Sequence, residues 1–344
     1  ITNNLNSSSS LAGYVFNKGT TTVTWTATDA SNNTKTCSYT VTVNDNQNPT
    51  IACVGNQTRS MTTGKCQYDV VGNEFDPTSW ADNCAGATIK NDYNNKNTLA
   101  GDFFISGTTT VRWTITDASN NTATCVFTVT VSDTEAPKIT CVGNQTRSMN
   151  NNTCSYTAVG NEFNPTAFSD NCSGATIKNN YNGTSSLAGA TFNSGNTTVE
   201  WTVTDASNNT STCSFTITVN DNQNPKITCV GNQTKSTSTG VCTYTVSGTE
   251  FNPVDFSDNC PGATIKNNYN NSSTLAGALF PKGTTTVVWT VTDASNNTAT
   301  CSFNVVVNDN QSPVISCVSN KTKSTDAGKC SYTTSGTEFD LTSA

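Results

Sequence analysis

The feature that most constrains this chain is the register of its cysteines. Cys37, Cys125, Cys213 and Cys301 stand 88 residues apart, as do Cys53, Cys141, Cys229 and Cys317. Cys66, Cys154, Cys242 and Cys330 keep the same step, and so do Cys84, Cys172 and Cys260. Trp25, Trp113, Trp201 and Trp289 follow it too, with Pro49, Pro137, Pro225 and Pro313. A period held without one insertion means that a single small unit has been used repeatedly. The boundaries expected from it are 1–44, 45–132, 133–220, 221–308 and 309–344, the first and last being partial copies.

Each unit has the pattern of exposed β-structure. Val111, Trp113 and Ile115 alternate with threonines and Arg112, then Asp117-Ala118-Ser119-Asn120-Asn121 makes a turn. Cys125, Phe127, Val129 and Val131 alternate again on the far side of it. An apolar face backed by Thr is the mark of a half-buried antiparallel sheet. Shorter strands are expected at Lys138 to Val142, Cys154 to Val159 and Ala175 to Tyr181. Six or seven short strands per period predict an all-β fold, a tandem array of β-sandwiches. Composition agrees: Thr and Asn make up about a third of the chain, and only 12% of residues are charged.

The same composition excludes several functions. There is no histidine, so Ser-His and Cys-His nucleophile pairs and the commonest metal ligand are absent. A net charge of −7 with 17 scattered Lys and Arg argues against nucleic acid or an anionic membrane as partner. No apolar run approaches the ~18 residues needed to span a bilayer. Ile1 opens the sequence with no leader peptide, which suggests a stretch of a longer polypeptide.

The segment from Asp133 to Val142, with its Asp-x-x-x-Pro-x-Ile-x-Cys pattern, and the segment from Phe280 to Phe303, Phe-Pro-Lys-Gly-Thr-Thr-Thr-Val-x-Trp-Thr-Val-Thr-Asp-Ala-Ser-Asn-Asn-Thr-Ala-Thr-Cys-Ser-Phe, resemble the HYR (hyalin repeat) domain. The resemblance extends over the whole chain. It implies immunoglobulin-like sandwiches arrayed in extracellular adhesion proteins, including very long bacterial surface adhesins. Two departures leave the core untouched: Val54 follows Cys53 where the family usually has Pro, and Asn-Asn stands where Gly-Asn is common.

Four cysteines per repeat imply two bridges, for which three pairings exist. In sandwiches of this class the first and last strands lie side by side, which pairs Cys53 with Cys125, Cys141 with Cys213 and Cys229 with Cys301. The remaining cysteines are then expected to close shorter loops: Cys66 with Cys84, Cys154 with Cys172 and Cys242 with Cys260. Cys37, Cys317 and Cys330 are left for partners in another subunit or outside the sequence. No close Cys-x2-4-Cys pair suggests zinc. Bridges from first strand to last would let tension bypass most of each repeat, leaving the 16 residues from Cys213 to Cys229 to extend.

Several polar clusters are candidate sites. The linkers carrying Asp45, Asp133, Asp221 and Asp309 resemble the cadherin junction, and oxygen-rich junctions suit calcium. Against calcium, the linkers at Asp45, Asp221 and Asp309 offer one carboxylate each, the second linker departs from the pattern as Ser132-Asp133-Thr134-Glu135-Ala136-Pro137, and Asn-Asp-Asn-Pro is ordinary turn chemistry. No other cofactor is expected. Glu162, Asp170 and Asp205 recur in the repeats; paired carboxylates can hydrolyse glycosides, but capping roles fit them better and no enzyme is expected. The Thr20, Thr22, Thr24, Thr26 and Thr28 rank offers a face for glycan or ice, with β-propensity as its plainer reason. Asn56, Asn144 and Asn232 begin glycosylation sequons. Lys90, Lys178 and Lys266 are considered for isopeptide bonds and disfavoured.

The function expected is a tension-carrying extracellular fibre or adhesin stalk, at the cell surface or secreted. Its partners would be neighbouring repeats or identical subunits, with a surface glycan or other cell-surface ligand. The alternatives are a multivalent glycan- or ice-binding module, or a subunit that polymerises head to tail through Cys317 and Cys37; a continuous chain is favoured over polymerisation.

Overall fold

A computed structural model, which describes residues 1–341, is all-β, with no helix among the described residues. Contacts divide it into two compact units. One comprises Ile1–Val142, Asn164–Ser186 and Val199–Ser214; the other comprises Gly143–Phe163, Leu187–Thr198 and the described residues from Phe215 onward.

In the first unit, the repeat at 45–132 shows the architecture whole. Its large sheet runs Gln57–Ser60, Thr122–Ser132, Gly107–Thr116, Thr88–Asn91. The long hairpin pairs Trp113 with Cys125 and Val111 with Phe127. Two smaller ladders pair Thr50–Ala52 with Ser79–Ala81 and Gln67–Asp69 with Phe103–Ile105. Between these layers Phe75, Leu99, Phe104, Val111, Trp113, Phe127 and Val129 are buried together. Phe75 and Phe104 meet edge to face, centroids 5.6 Å apart, and the indole N–H of Trp113 donates to the Phe75 carbonyl at 3.3 Å. That bond satisfies the one polar atom of the buried indole.

One pairing departs from the antiparallel expectation: Gln57–Ser60 lies parallel to Thr122–Ser132. The chain leaves the small ladder at Ala52 and crosses to the large sheet through Gly55 and Asn56. Asn56 Oδ1 then accepts from Thr128 N at 3.0 Å and anchors the crossing strand. Cys53, on this crossover, bonds Cys125 with Cα atoms 5.7 Å apart. The bridge therefore ties one layer to the other instead of joining two neighbouring strands.

The second unit contains the same arrangement at 221–308. Its sheet order is Gln233–Ser236, Thr298–Asn308, Gly283–Thr292, Thr264–Asn267. Its core is Phe251, Leu275, Phe280, Val287, Trp289, Phe303 and Val305. The repeat at 133–220 contributes ladders to both units: Lys138–Thr140 with Ala167–Ser169 in the first, and Ser155–Thr157 with Thr191–Asn193 in the second.

The partial copies behave differently. Residues 1–44 form a sheet of Thr2–Asn3, Gly19–Thr28 and Thr34–Val43, whose last strand is mostly exposed where Thr122–Ser132 alternates with buried positions. Residues 309–341 form turns and no strand, and Val314 and Ile315 are exposed.

Candidate functional site at the repeat junctions

Three recurring structures surround each junction: a linker acid, a turn acid and a cysteine bridge. The turn is built by Asp117, whose Oδ1 accepts from the backbone N–H of Ser119 and Asn121, both at 2.8 Å. Asn120 takes φ 70°, the left-handed conformation that Asn tolerates better than most residues. That explains Asn-Asn where Gly-Asn is common: both first residues suit a positive φ. Asn121 Nδ2 donates to Asp117 Oδ2 at 2.7 Å and to the Asp45 carbonyl at 3.0 Å, so the turn also holds the linker. Asp205 with Asn209 and Asp293 with Asn297 repeat the arrangement, reaching the carbonyls of Asp133 and Asp221.

The linker acid has a second anchor. Asp133 Oδ1 accepts from Glu135 N and from Asn171 Nδ2, at 3.1 and 3.3 Å. Asp170, in the Ser-Asp-Asn-Cys segment, caps its own loop by accepting from Cys172 N at 3.1 Å. The fold thus gathers Asp133, Asp170 and Asp205, one oxygen of each lying within 4.8 Å of the others. Asp45, Asp82 and Asp117 form the same group. In the repeat at 221–308, Asp221 and Asp258 are grouped with the sulphur of Cys260, which is already in a disulfide.

Electrostatics within the first of these groups is uneven. Asp45 is held below the usual carboxylate range, chiefly by the free Cys84 thiol that donates to it, and Asp45 in turn pushes that thiol up. Asp117 is raised by burial and by the Asp45 charge, yet the donors Asn121 and Ser119 outweigh both and its pKa falls.

The bridges correct the expected local pairing. Cys66 is bonded to Cys172 and Cys154 to Cys260, each over 106 residues with Cα atoms 4.8 Å apart. The pairs Cys66 with Cys84, Cys154 with Cys172 and Cys242 with Cys260 do not form; Cys84 and Cys242 are free thiols. The reason is position. Cys84 sits beside Asp45, where its repeat begins, whereas the loop of Cys66 meets the residues where the repeat ends. Met61 N donates to Ser132 O at 3.0 Å, and Gly64 N donates to Glu135 Oε2 at 2.7 Å. Cys66 consequently faces the next repeat's Cys172. Cys37, Cys317 and Cys330 are also free and exposed.

Around each of these bridges the same contacts recur. In the first unit Asn171 Nδ2 donates to Lys65 O at 3.2 Å, and Met61 Sδ lies 3.4 Å from Cys172 Sγ. In the second, Asn259 meets Thr153 O at 3.1 Å and Met149 lies 3.4 Å from Cys260. Gln223 Oε1 accepts from Asn152 N at 2.8 Å, taking the place of Glu135. Met61, Met149, Glu135, Asn171 and Gln223 were not singled out from the sequence; their shared 88-residue register with the bridging cysteines was the available signal.

The other candidates are placed as follows. Glu162 belongs to a separate network: Oε1 accepts from Tyr156 OH and Val159 N, both at 2.7 Å, and Oε2 from Arg147 Nε and Nη2 at 2.9 and 2.8 Å. Burial alone would raise its pKa, but these donors bring it below the ordinary value. With every acceptor engaged, the side chain pins a loop. Asp309 pairs with Lys282 at 3.6 Å. The threonine rank spends hydroxyls internally, Thr20 on Thr42 at 3.1 Å and Thr24 on Ser38 at 2.9 Å. Asn56, Asn144 and Asn232 are exposed, each with Oδ1 on a backbone N–H of the last strand. Lys90, Lys178 and Lys266 point outward on their strands.

Comparison with known proteins accords with this repeat anatomy. The HYR domain model matches residues 2–43, 44–131, 132–219 and 220–307. Hyalin of Strongylocentrotus purpuratus is 32% identical over 93% of this chain and 26% of its own length. Hyalin of Lytechinus variegatus is 33% identical over 86% of this chain and 54% of its own length. A Staphylococcus aureus protein named serine-rich adhesin for platelets is 31% identical over 52% of this chain and 8% of its own. The chain thus spans about a quarter of one hyalin and about half of the other. Five disulfides place it in an oxidising, extracellular setting. With four matched copies in tandem, the chain belongs to the HYR domain family and is an extracellular, adhesion-type repeat protein.

Proposed function

We propose that this chain is a stretch of tension-carrying stalk, a fibre or adhesin shaft at the cell surface or secreted from it, with no catalytic role. One observation carries the reading: the bridges form two covalent tracks. The first runs through Cys53–Cys125, the linker, and Cys141–Cys213. The second runs through Cys66–Cys172, back along 154–172, and through Cys154–Cys260. Tension on the first track extends only the 16 residues from Cys125 to Cys141, about 55 Å at ~3.4 Å per residue. A whole unbridged repeat of 88 residues would release about 300 Å. The second track shares that load through the 18 residues from Cys154 to Cys172. Neighbouring repeats or identical subunits are the partners such a shaft requires, and a glycan or other surface ligand would be engaged elsewhere on the assembled protein.

Single-molecule stretching of the whole chain tests this. Without reductant, no extension step above about 60 Å is expected from the bridged stretch between Cys53 and Cys301, the unbridged sheet of residues 1–44 giving a single step of at most about 150 Å; with reductant, steps approaching 300 Å should appear. Longer steps already present without reductant, in oxidised protein, would overturn the proposal.

A further inference from the structure

The acid groups at the heads of the repeats contain more negative charge than the protein satisfies. Asp221 is only 6% exposed, and its Oδ2 is buried without a hydrogen-bond donor. The Asp258 Oδ1 beside it is likewise buried and unpartnered. Asp170 Oδ1 and the amide oxygen Asn171 Oδ1 are unpartnered in the preceding copy, and Asp45 Oδ2 and Asp82 Oδ1 in the copy before that. Turn capping accounts for the other oxygens of these residues but not for these. Leaving a buried carboxylate oxygen unmatched is costly, and the same cost is incurred in three successive copies. Among the described residues, only Asp45 of these acids forms an ion pair, with Lys18 at 3.5 Å, while Lys138 and Lys226 stand in the grooves beside Asp170 and Asp258 without an ion pair to either.

We propose that Asp133, Asp170 and Asp205, with Asp45, Asp82 and Asp117 and the pair Asp221 and Asp258, bind one calcium ion at the head of each complete repeat. The ligand atoms of each triad lie within 4.8 Å of one another, about twice a calcium–oxygen distance of ~2.4 Å, so one ion can touch all three. Carboxylates and a neutral amide oxygen are hard donors suited to calcium, with water completing its 6 to 8 ligands. Cys260, as a disulfide sulphur, is not counted among the ligands. The groove lined by Glu135, Ser169, Asp170 and Asn171 opens onto one site, and that lined by Gln223, Ser257, Asp258 and Asn259 onto another. Asn171 also donates to Lys65 O, so the ion would brace the loop that carries the Cys172 bridge.

The test is calorimetric titration of the calcium-stripped whole chain with calcium chloride. Saturable binding of three ions per chain is expected, with Kd in the ~0.1–1 mM range of extracellular sites. The triple variant Asp82→Asn, Asp170→Asn and Asp258→Asn should lose at least tenfold in affinity. As a check independent of variant folding, the wild-type Tm should rise with calcium and not with sodium chloride of equal ionic strength. No saturable binding up to 10 mM, about ten times the weakest expected Kd, would overturn the proposal, as would a Tm indifferent to calcium.

Discussion

Cys66 and Cys172 belong to successive repeats and are bonded to one another across 106 residues. Each complete repeat is therefore closed internally by one bridge and stapled to a neighbour by another. A linker cut should not release the repeats: chain cleaved after Lys138 is expected to remain one species on a denaturing gel until reductant is added. The uncut residues 1–138 and 139–344 are then held through Cys66–Cys172 alone. Two fragments without reductant would show that the staple is absent.

Replacing Cys172 should uncouple the repeats without dissolving them. Cys172→Ser frees Cys66 and removes a closed loop worth roughly 4 kcal/mol on the loop-entropy model. Cys141→Ser removes a 72-residue loop worth about the same, but opens a sandwich instead of a junction. Calorimetry distinguishes the two: the first variant should split the unfolding transition, and the second should lower the transition of one repeat.

Acid should weaken the sandwiches through their recurring glutamates. Glu74, Glu162 and Glu250 are all depressed below the ordinary value of 4.5, against the opposing effect of burial, by Tyr, backbone and Arg or Lys donors. A depressed carboxyl binds its proton more readily unfolded than folded, so it adds stability above pH 4.5 that is lost as pH falls through the lower folded value. Tm is expected to hold from pH 7 to 5 and to drop below about 4.5. Glu162→Gln should cost about 1–3 kcal/mol at pH 7, measured by denaturant unfolding, and flatten part of the acid drop.

The turn asparagines offer a backbone test. Asn208, at φ 69°, sits where a β-carbon is strained. Asn208→Ala should destabilise by about 1 kcal/mol, whereas Asn208→Gly should be nearly neutral. Equal losses in thermal melts of both variants would mean that the side chain, and not φ, sets the cost.

Much of the fold was legible in the residues themselves. The Val111, Trp113 and Ile115 alternation and the Phe127, Val129 and Val131 alternation are the hairpin of the large sheet, because one buried face imposes a period of two. Gln57–Ser60 was missed: a polar edge strand has no apolar alternation to reveal it. The pairing of Cys66 was misread because a short loop looks cheaper to close, while the deciding fact is which pole of the sandwich each cysteine occupies. Asp133, Asp170 and Asp205 each fit turn chemistry, and nothing within a span of 73 residues says that they meet.

The most direct test of the stapled array is a tryptic digest of alkylated, unreduced protein, weighed by mass spectrometry. The account predicts that the peptide 66–90 is linked to 148–178 through Cys66–Cys172, and that 148–178 is linked in turn to 236–266 through Cys154–Cys260. Alkylated Cys84 and Cys242 should appear in the same linked species. Separate peptides 66–90 and 148–178, each closed on itself, would contradict the account.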